Sequence, residues 1–132
     1  MKNLLFNFGL ATLSTHELDA VSQSEWHLLY MLNNLPEQIA QDIFVILHVP
    51  LFAIILGLTF NEKPVIKKWS RIAFCIFLII HAGLHKLLES HPLYTFYSPI
   101  SKGLIFGGGL IGFMYLAVNY SDRNFYQAKE NT

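Results

Sequence analysis

The sequence predicts an all-α integral membrane protein, a four-helix bundle that forms a single domain over residues 1–132. Two observations lead to this prediction. Hydrophobic residues make up 53% of the chain and charged residues only 14%, whereas soluble domains contain about 25% charged residues. The apolar residues also occur in runs of about 20, the length of a helix that crosses a bilayer. The formal net charge is zero, so no basic or acidic field points to nucleic acid or a charged substrate.

The first predicted span, residues 3–21, has a short apolar part and ends in the polar stretch Thr-His-Glu-Leu-Asp. A signal peptide is the alternative, because Lys2 precedes an apolar run of suitable length. No small-x-small cleavage site follows that run, and the charges of the later loops also favour a span that is retained. We therefore expect the first helix to stay in the membrane.

The connection after this span, residues 22–35, is too short to cross the membrane and is expected to form a short interfacial helix on the outer surface. Ser22 and Glu25 match the S-x-x-E capping box that begins a helix. The apolar flank of that helix could be formed by Trp26, Leu29, Tyr30 and Leu32. An ordered loop is the alternative.

Two strongly apolar spans follow, residues 38–60 and residues 69–90. Pro50 lies inside the first of them, which does not exclude a helix, because neighbouring helices in a membrane can satisfy the carbonyl that proline leaves free. The second contains the stretch HAGLH, in which two histidines interrupt an apolar sequence. Both segments are long enough to cross a bilayer.

The last predicted span, residues 99–120, is rich in glycine. It contains two small-xxx-small spacings, formed by Gly103 with Gly107 and by Gly108 with Gly112. Such glycines let helix backbones approach closely, so they predict either packing within the bundle or a homo-oligomer formed through this span.

Basic residues mark one side of the membrane. Four of them lie at or near the connection between the second and third spans, namely Lys63, Lys67, Lys68 and Arg71. The other two connections, 22–37 and 91–98, contain no Lys or Arg. With four spans, the basic residues near the chain ends lie on the same side as the basic loop. The positive-inside rule therefore places both termini in the cytoplasm.

Several ionisable side chains of candidate functional importance fall within or at the ends of the predicted spans, namely His16, Glu17, Asp19, His48, His81, His85 and Glu89. Such groups are costly in a bilayer and are usually functional. Counted from the cytoplasmic edge of its span, His16 lies 13 residues in, His48 and His81 lie 12 and His85 lies 16. At about 1.5 Å of rise per residue, the four histidines fall within about 6 Å of one another in depth.

This layer of side chains predicts a metal site. His81 and His85 are four residues apart on one helix face, the spacing at which two imidazoles can share a metal. The predicted ligands are His16, Asp19, His48, His81 and His85. The candidate catalytic carboxylates are Glu17, Asp19 and Glu89, each of which could instead hold a ligating histidine by its free ring N–H. A hydrogen-bonded polar core and a proton pathway are the alternatives.

Imidazole and carboxylate without thiolate suit a divalent metal, with zinc or iron favoured. Such a site predicts a metal-dependent enzyme that acts on a lipid-like molecule reaching it from the membrane. A haem-binding or quinone-linked electron carrier is the first alternative, with His48 and either His81 or His85 as axial ligands. A non-enzymatic scaffold or subunit with a polar core is the second, so the residues leave open whether the protein is an enzyme.

The runs TLSTHELDAVSQSEW, LPEQIAQDIFVILHVPLF and FLIIHAGLHKLLESHPLYTF resemble a group of small, uncharacterised bacterial membrane proteins with a His-Glu-Leu-Asp-Ala opening. The chain is also loosely similar to the HXXEE membrane family, from which it departs because Glu17 follows His16 directly and no Glu-Glu pair occurs. The first resemblance covers about residues 3–115. It implies a multi-pass protein of the bacterial inner membrane and no particular reaction.

Overall fold

The computed structural model describes the backbone of residues 1–130 and the side chains of residues 1–121. Within these residues the chain forms four α-helices and no β-strand. They are α1 (Lys2–Ser22), α2 (Glu37–Thr59), α3 (Pro64–Leu88) and α4 (Pro99–Glu130), with a four-residue 3-10 helix, Glu25–Leu28, between α1 and α2. The fold is therefore all-α, as the sequence predicts.

Three of the four helices are long and apolar enough to cross a membrane: α2, α3 and the part of α4 that ends at Ser121. The helix α1 is not one of them by composition, because polar residues occur along its length, among them Asn3, Asn7, His16, Glu17 and Asp19. The helix α3 begins at Pro64, five residues before the predicted span, because proline suits the first turn of a helix, where a backbone N–H has no partner within the helix.

The helix α1 packs against α3 and α4 through one stripe of residues. Its buried positions follow one another at alternating steps of three and four: Phe6, Gly9, Leu13, His16 and Ala20. This spacing places them on a single face of the helix. A Cβ atom at Gly9 would lie 3.0 Å from a methyl group of Leu78 on α3 and 3.5 Å from Ile111 on α4. His16 therefore belongs to the face of α1 that is packed inside the bundle.

Two glycines of α4 allow its backbone to lie against α3. A Cβ atom at Gly112 would lie 2.5 Å from the carbonyl oxygen of Cys75, and one at Gly109 would lie 2.9 Å from the Cβ atom of Ala82. By contrast, a Cβ atom at Gly103 or Gly107 would have no atom within 4 Å. A Cβ atom at Gly108 would lie 3.4 Å from Thr12 of α1, so the Gly108–Gly112 pair serves packing inside the bundle, while the Gly103–Gly107 pair faces open space.

A buried arginine, Arg71, links three helices at the end of the bundle opposite the histidines. Arg71 Nε donates to the carbonyl oxygen of Thr59 at 2.9 Å, and a terminal guanidinium nitrogen donates to Asn3 Oδ1 at 2.8 Å. The guanidinium carbon lies 4.4 Å from the ring centre of Phe6 and 5.4 Å from that of Phe60. One side chain of α3 therefore ties the start of α1 to the end of α2.

The connection between α1 and α2 folds over the other end of the bundle. The capping box predicted from Ser22 and Glu25 does not form: Ser22 is the last residue of α1, and its hydroxyl donates to the carbonyl oxygen of Leu18. Trp26 is 2% exposed, and its Nε1 donates to Glu37 Oε1 at 3.2 Å. Burial of the indole decides the path of this segment and turns Glu25 towards the histidines.

Candidate metal centre

Three histidines converge below this connection. His16 comes from the buried stripe of α1, and His81 and His85 come from successive turns of α3. One ring nitrogen of each lies within 4.8 Å of one ring nitrogen of each of the others. His16 and His85 are buried, and His81 is partly buried. We call these three residues the histidine triad.

The distances within the triad suit a metal ion. His16 Nε2 and His81 Nε2 are 2.9 Å apart. Glu25 faces the same nitrogen layer, with Oε2 at 3.6 Å from His16 Nε2 and Oε1 at 3.7 Å from His85 Nε2. Ligand atoms of a tetrahedral zinc ion lie about 3.3 Å apart when the bonds are about 2.0–2.1 Å long. The contact between His16 and His81 is a hydrogen bond, and the other nitrogens of the triad lie within 4.8 Å, so the side chains surround a space that an ion could occupy after they rotate.

Glu25 is the residue of this centre that the sequence did not reveal. It lies in the 3-10 helix outside the spans, and only 13% of its side chain is exposed. Burial, together with the nearby carboxylates of Glu17 and Asp19, raises the pKa of Glu25 to about 8. A bound metal ion would stabilise the ionised form of this partly buried carboxylate. Glu25 is the acidic residue of the S-x-x-E pattern, which as a capping box predicts the start of a helix and not a ligand.

Several buried polar atoms at this end of the bundle have no hydrogen-bond partner. Among the described side chains these atoms are His16 Nδ1, Asp19 Oδ2, Glu25 Oε2, His85 Nδ1 and Tyr94 Oη. Buried polar groups are normally hydrogen-bonded, so a group of unpartnered ones indicates a water or an ion that belongs there. All five atoms belong to the histidine triad or to residues beside it.

Aromatic rings from the connection between α3 and α4 close the outer side of the centre. Phe96 is fully buried, with its ring centre 4.8 Å from that of His85 and 5.6 Å from that of His16. Thr95 Oγ1 donates to the carbonyl oxygen of Gln23 and joins this connection to the one that carries Glu25. On the inner side, a cavity of about 10 Å³ borders His16 and His81. These surroundings exclude bulk water, which strengthens interactions with a bound ion.

His48 lies outside this group and forms a separate pair with Glu17. Its Nε2 lies 2.7 Å from Glu17 Oε2, and its Nδ1 lies 2.7 Å from the carbonyl oxygen of Phe44 one turn earlier in α2. Both ring nitrogens are therefore engaged. In this arrangement His48 offers no free nitrogen to a metal or to a haem iron.

The remaining candidate carboxylates occupy different surroundings. Asp19 lies near enough to Glu25 and His85 to interact with both electrostatically. Glu89 lies at the surface beyond the end of α3, where Lys86 donates to it and holds its pKa below the ordinary value. The structure thus brings Asp19 to the edge of the centre, whereas Glu89 is paired elsewhere.

The comparison with protein families gives one finding. The model of a family of unknown function, DUF6713, matches residues 2–122. The chain belongs to this family. Neither the curated proteins nor the solved structures gave a match.

Membership of DUF6713 agrees with the expected relation to a group of uncharacterised proteins. No similarity to the HXXEE family is shown. Because the function of DUF6713 is unknown, the family adds no reaction, substrate or partner. A functional conclusion has to come from the geometry of the histidine triad.

Proposed function

We propose that this protein is a membrane protein that binds one divalent metal ion between His16, His81 and His85. The observation that carries the proposal is the convergence of three imidazoles from two helices within 4.8 Å. The unpartnered Glu25 Oε2, which lies 3.6 Å from His16 Nε2, supports it, since an ion between these groups would supply the partner that this oxygen lacks. Zinc or iron is the proposed metal, because the donors are imidazole and carboxylate.

The proposed membrane arrangement has four spans, with α1 as the fourth. Support for α1 comes from its outward side, which exposes large apolar residues that suit contact with lipid: Leu4, Phe8 and Leu18. The basic residues between α2 and the first turns of α3, Lys63, Lys67 and Lys68, favour cytoplasmic termini. On this topology the centre lies towards the outer face of the bacterial inner membrane.

We also propose that the bound metal serves a reaction on a lipid-like substrate. Three protein ligands are the number typical of catalytic zinc sites, which keep a position open for water or substrate. A metal in such a site supplies a Lewis acid and an activated water. Glu25 faces two of the three ligands and is placed to accept a proton or to complete the coordination. A substrate would reach the centre from the bilayer.

The test is the metal content of the full-length protein, purified in detergent without chelator and measured by inductively coupled plasma mass spectrometry. We expect about one equivalent of zinc or iron, because sites of this kind hold metal through purification. His85→Ala should lose it, and His91→Ala, which alters an exposed histidine of the outer surface, should keep it. Less than about a tenth of an equivalent in the unaltered protein would refute the proposal and favour a polar core without metal.

A further inference from the structure

A second polar feature lies on the side of α1 that faces α2. There the two helices border an open groove of about 200 Å³. Its walls are apolar, with Leu18, Val45 and Phe52 among them, and its polar groups are Ser14 and the His48–Glu17 pair. The side chains of His48 and Glu17 are 20% and 16% exposed. The pair is therefore accessible from the groove.

The depth of the groove limits what can enter it. His48 is the twelfth of the 23 residues of α2, a helix apolar enough to cross a membrane. The groove therefore opens at the middle of the span, about 17 Å from the start of the helix at 1.5 Å per residue. Charged headgroups are costly at this depth. An occupant must be apolar along most of its length and carry only a small neutral polar group.

The hydrogen bonds already made decide which polar group fits. His48 Nδ1 faces a carbonyl oxygen, so it carries the ring proton and donates it to Phe44. The proton between His48 Nε2 and Glu17 Oε2 is held within the pair, whichever of the two atoms carries it. Glu17 Oε1, which makes no hydrogen bond within the described residues, is then an acceptor in either case.

Ser14 leads to the same conclusion. Its hydroxyl donates to the carbonyl oxygen of Leu10 at 3.0 Å, so its remaining capacity is as an acceptor. The two polar groups still available in the groove, Ser14 Oγ and Glu17 Oε1, therefore both accept hydrogen bonds. A ligand must bring the donor.

We propose that this groove binds a neutral, membrane-dissolved amphiphile through its hydroxyl group, as a long-chain aliphatic or isoprenoid alcohol would provide. The hydroxyl donates to Glu17 Oε1, and the hydrocarbon chain lies against Val45 and Phe52. An ester or ketone headgroup lacks the donor, and a phosphodiester carries a charge that this depth disfavours. The site uses a different face of α1 from His16 and does not require the proposed metal.

Photolabelling tests this proposal. The probe is hexadecanol with a diazirine in its chain, added to the full-length protein in phosphatidylcholine nanodiscs. We expect saturable labelling of α1 and α2 residues that border the groove. Unlabelled hexadecanol and the isoprenoid alcohol farnesol are the two competitors that carry a hydroxyl. Hexadecyl methyl ether lacks the donor and should compete about tenfold less well than hexadecanol.

Matched variants locate the site. Val45→Trp should fill the groove and abolish labelling, whereas Val49→Trp, at a lipid-exposed position of the same helix, should leave it unchanged. Glu17→Leu should abolish the advantage of hexadecanol over its methyl ether as a competitor. Glu17→Gln should retain this advantage, because the amide can donate to His48 and still present an acceptor oxygen.

Several outcomes would overturn the proposal: equal competition by the methyl ether, labelling spread evenly over all lipid-facing helices, or equal effects of the two tryptophan variants. The competition experiment needs no variant, so a variant that fails to fold does not prevent a decision. Labelling should be the same in His85→Ala. A protein that binds no metal can therefore still be labelled in the groove, and a protein that binds metal can fail to be labelled there. The two proposals can thus fail separately.

Discussion

The histidine triad and the His48–Glu17 pair are built from the same kinds of side chain, yet only the triad is suited to a metal. In the pair, both ring nitrogens of His48 are engaged, one by Glu17 and one by the carbonyl oxygen of Phe44. In the triad, His16 Nε2 and His81 Nε2 are hydrogen-bonded only to each other among the described residues, and the Nδ1 atoms of His16 and His85 are buried without partners. The comparison teaches that the hydrogen-bonding capacity left over, rather than the number of histidines at one depth, distinguishes a ligand set from a satisfied polar contact.

The two groups diverge because neighbouring residues of a helix point in different directions. His16 and Glu17 are adjacent in α1, and successive residues of an α-helix are turned by about 100°. His16 therefore faces α3, where it meets His81 at 2.9 Å, while Glu17 faces α2 and meets His48 at 2.7 Å. One turn of α1 thus supplies two separate polar centres.

The strongest way to break this comparison is to remove one histidine from each group. We expect His16→Ala to reduce zinc affinity more than a hundredfold, because it removes one of three ligands, and His48→Ala to change it less than threefold. Competition with a chromogenic zinc chelator measures both. A similar loss of affinity in the two variants would contradict the separation of the groups and place His48 among the ligands.

The role of Glu25 gives the next largest expected effect. Glu25→Gln should weaken metal binding about tenfold to a hundredfold, the usual cost of losing a carboxylate beside metal ligands. The control is Glu37→Gln, because Glu37 contacts Trp26 and His27 of the same connection and has no described contact with the triad. Equal metal affinity for Glu25→Gln and the unaltered protein would limit Glu25 to a structural role.

The His48–Glu17 pair should contribute to stability independently of the metal. His48→Ala leaves Glu17 without its partner and should lower the free energy of unfolding by about 1–3 kcal/mol. Val49→Ala, at a neighbouring exposed position, should cost less than about 0.5 kcal/mol. Thermal unfolding in detergent, with and without chelator, measures the difference. A deficit that changes when the metal is removed would show that the pair and the triad are coupled.

Among the changes that should weaken metal binding, the smallest effect comes from the packing behind the triad. Gly109→Ala brings a methyl group against Ala82, which lies between His81 and His85 in α3. We expect a destabilisation of about 1–3 kcal/mol and a metal affinity a few times weaker, since α3 must shift. Gly107→Ala has open space around its new methyl group and should change neither. Unaltered affinity in Gly109→Ala would show that the triad tolerates movement of α3.

Part of the candidate centre was predictable because its histidines lie within regular helices. Depth counted along the spans placed His16, His81 and His85 at one level, and the structure brings these three together. The same count placed His48 with them, but depth contains no information about rotation around a helix axis. Glu25 could not be found in this way, because it lies in a connection whose path depends on burial of Trp26.

The sequence by itself determined the helical, membrane-compatible character of the chain and the level at which its polar side chains lie. Both follow from composition and from helical rise, which are local properties of the chain. Only the tertiary structure decided which histidines meet and that Glu25 lies beside them. It also decided that His48 pairs with Glu17 instead of joining the triad. These outcomes depend on the rotation of each helix about its axis and on the path of the connections between helices. Both are determined by contacts between residues that are distant in the sequence.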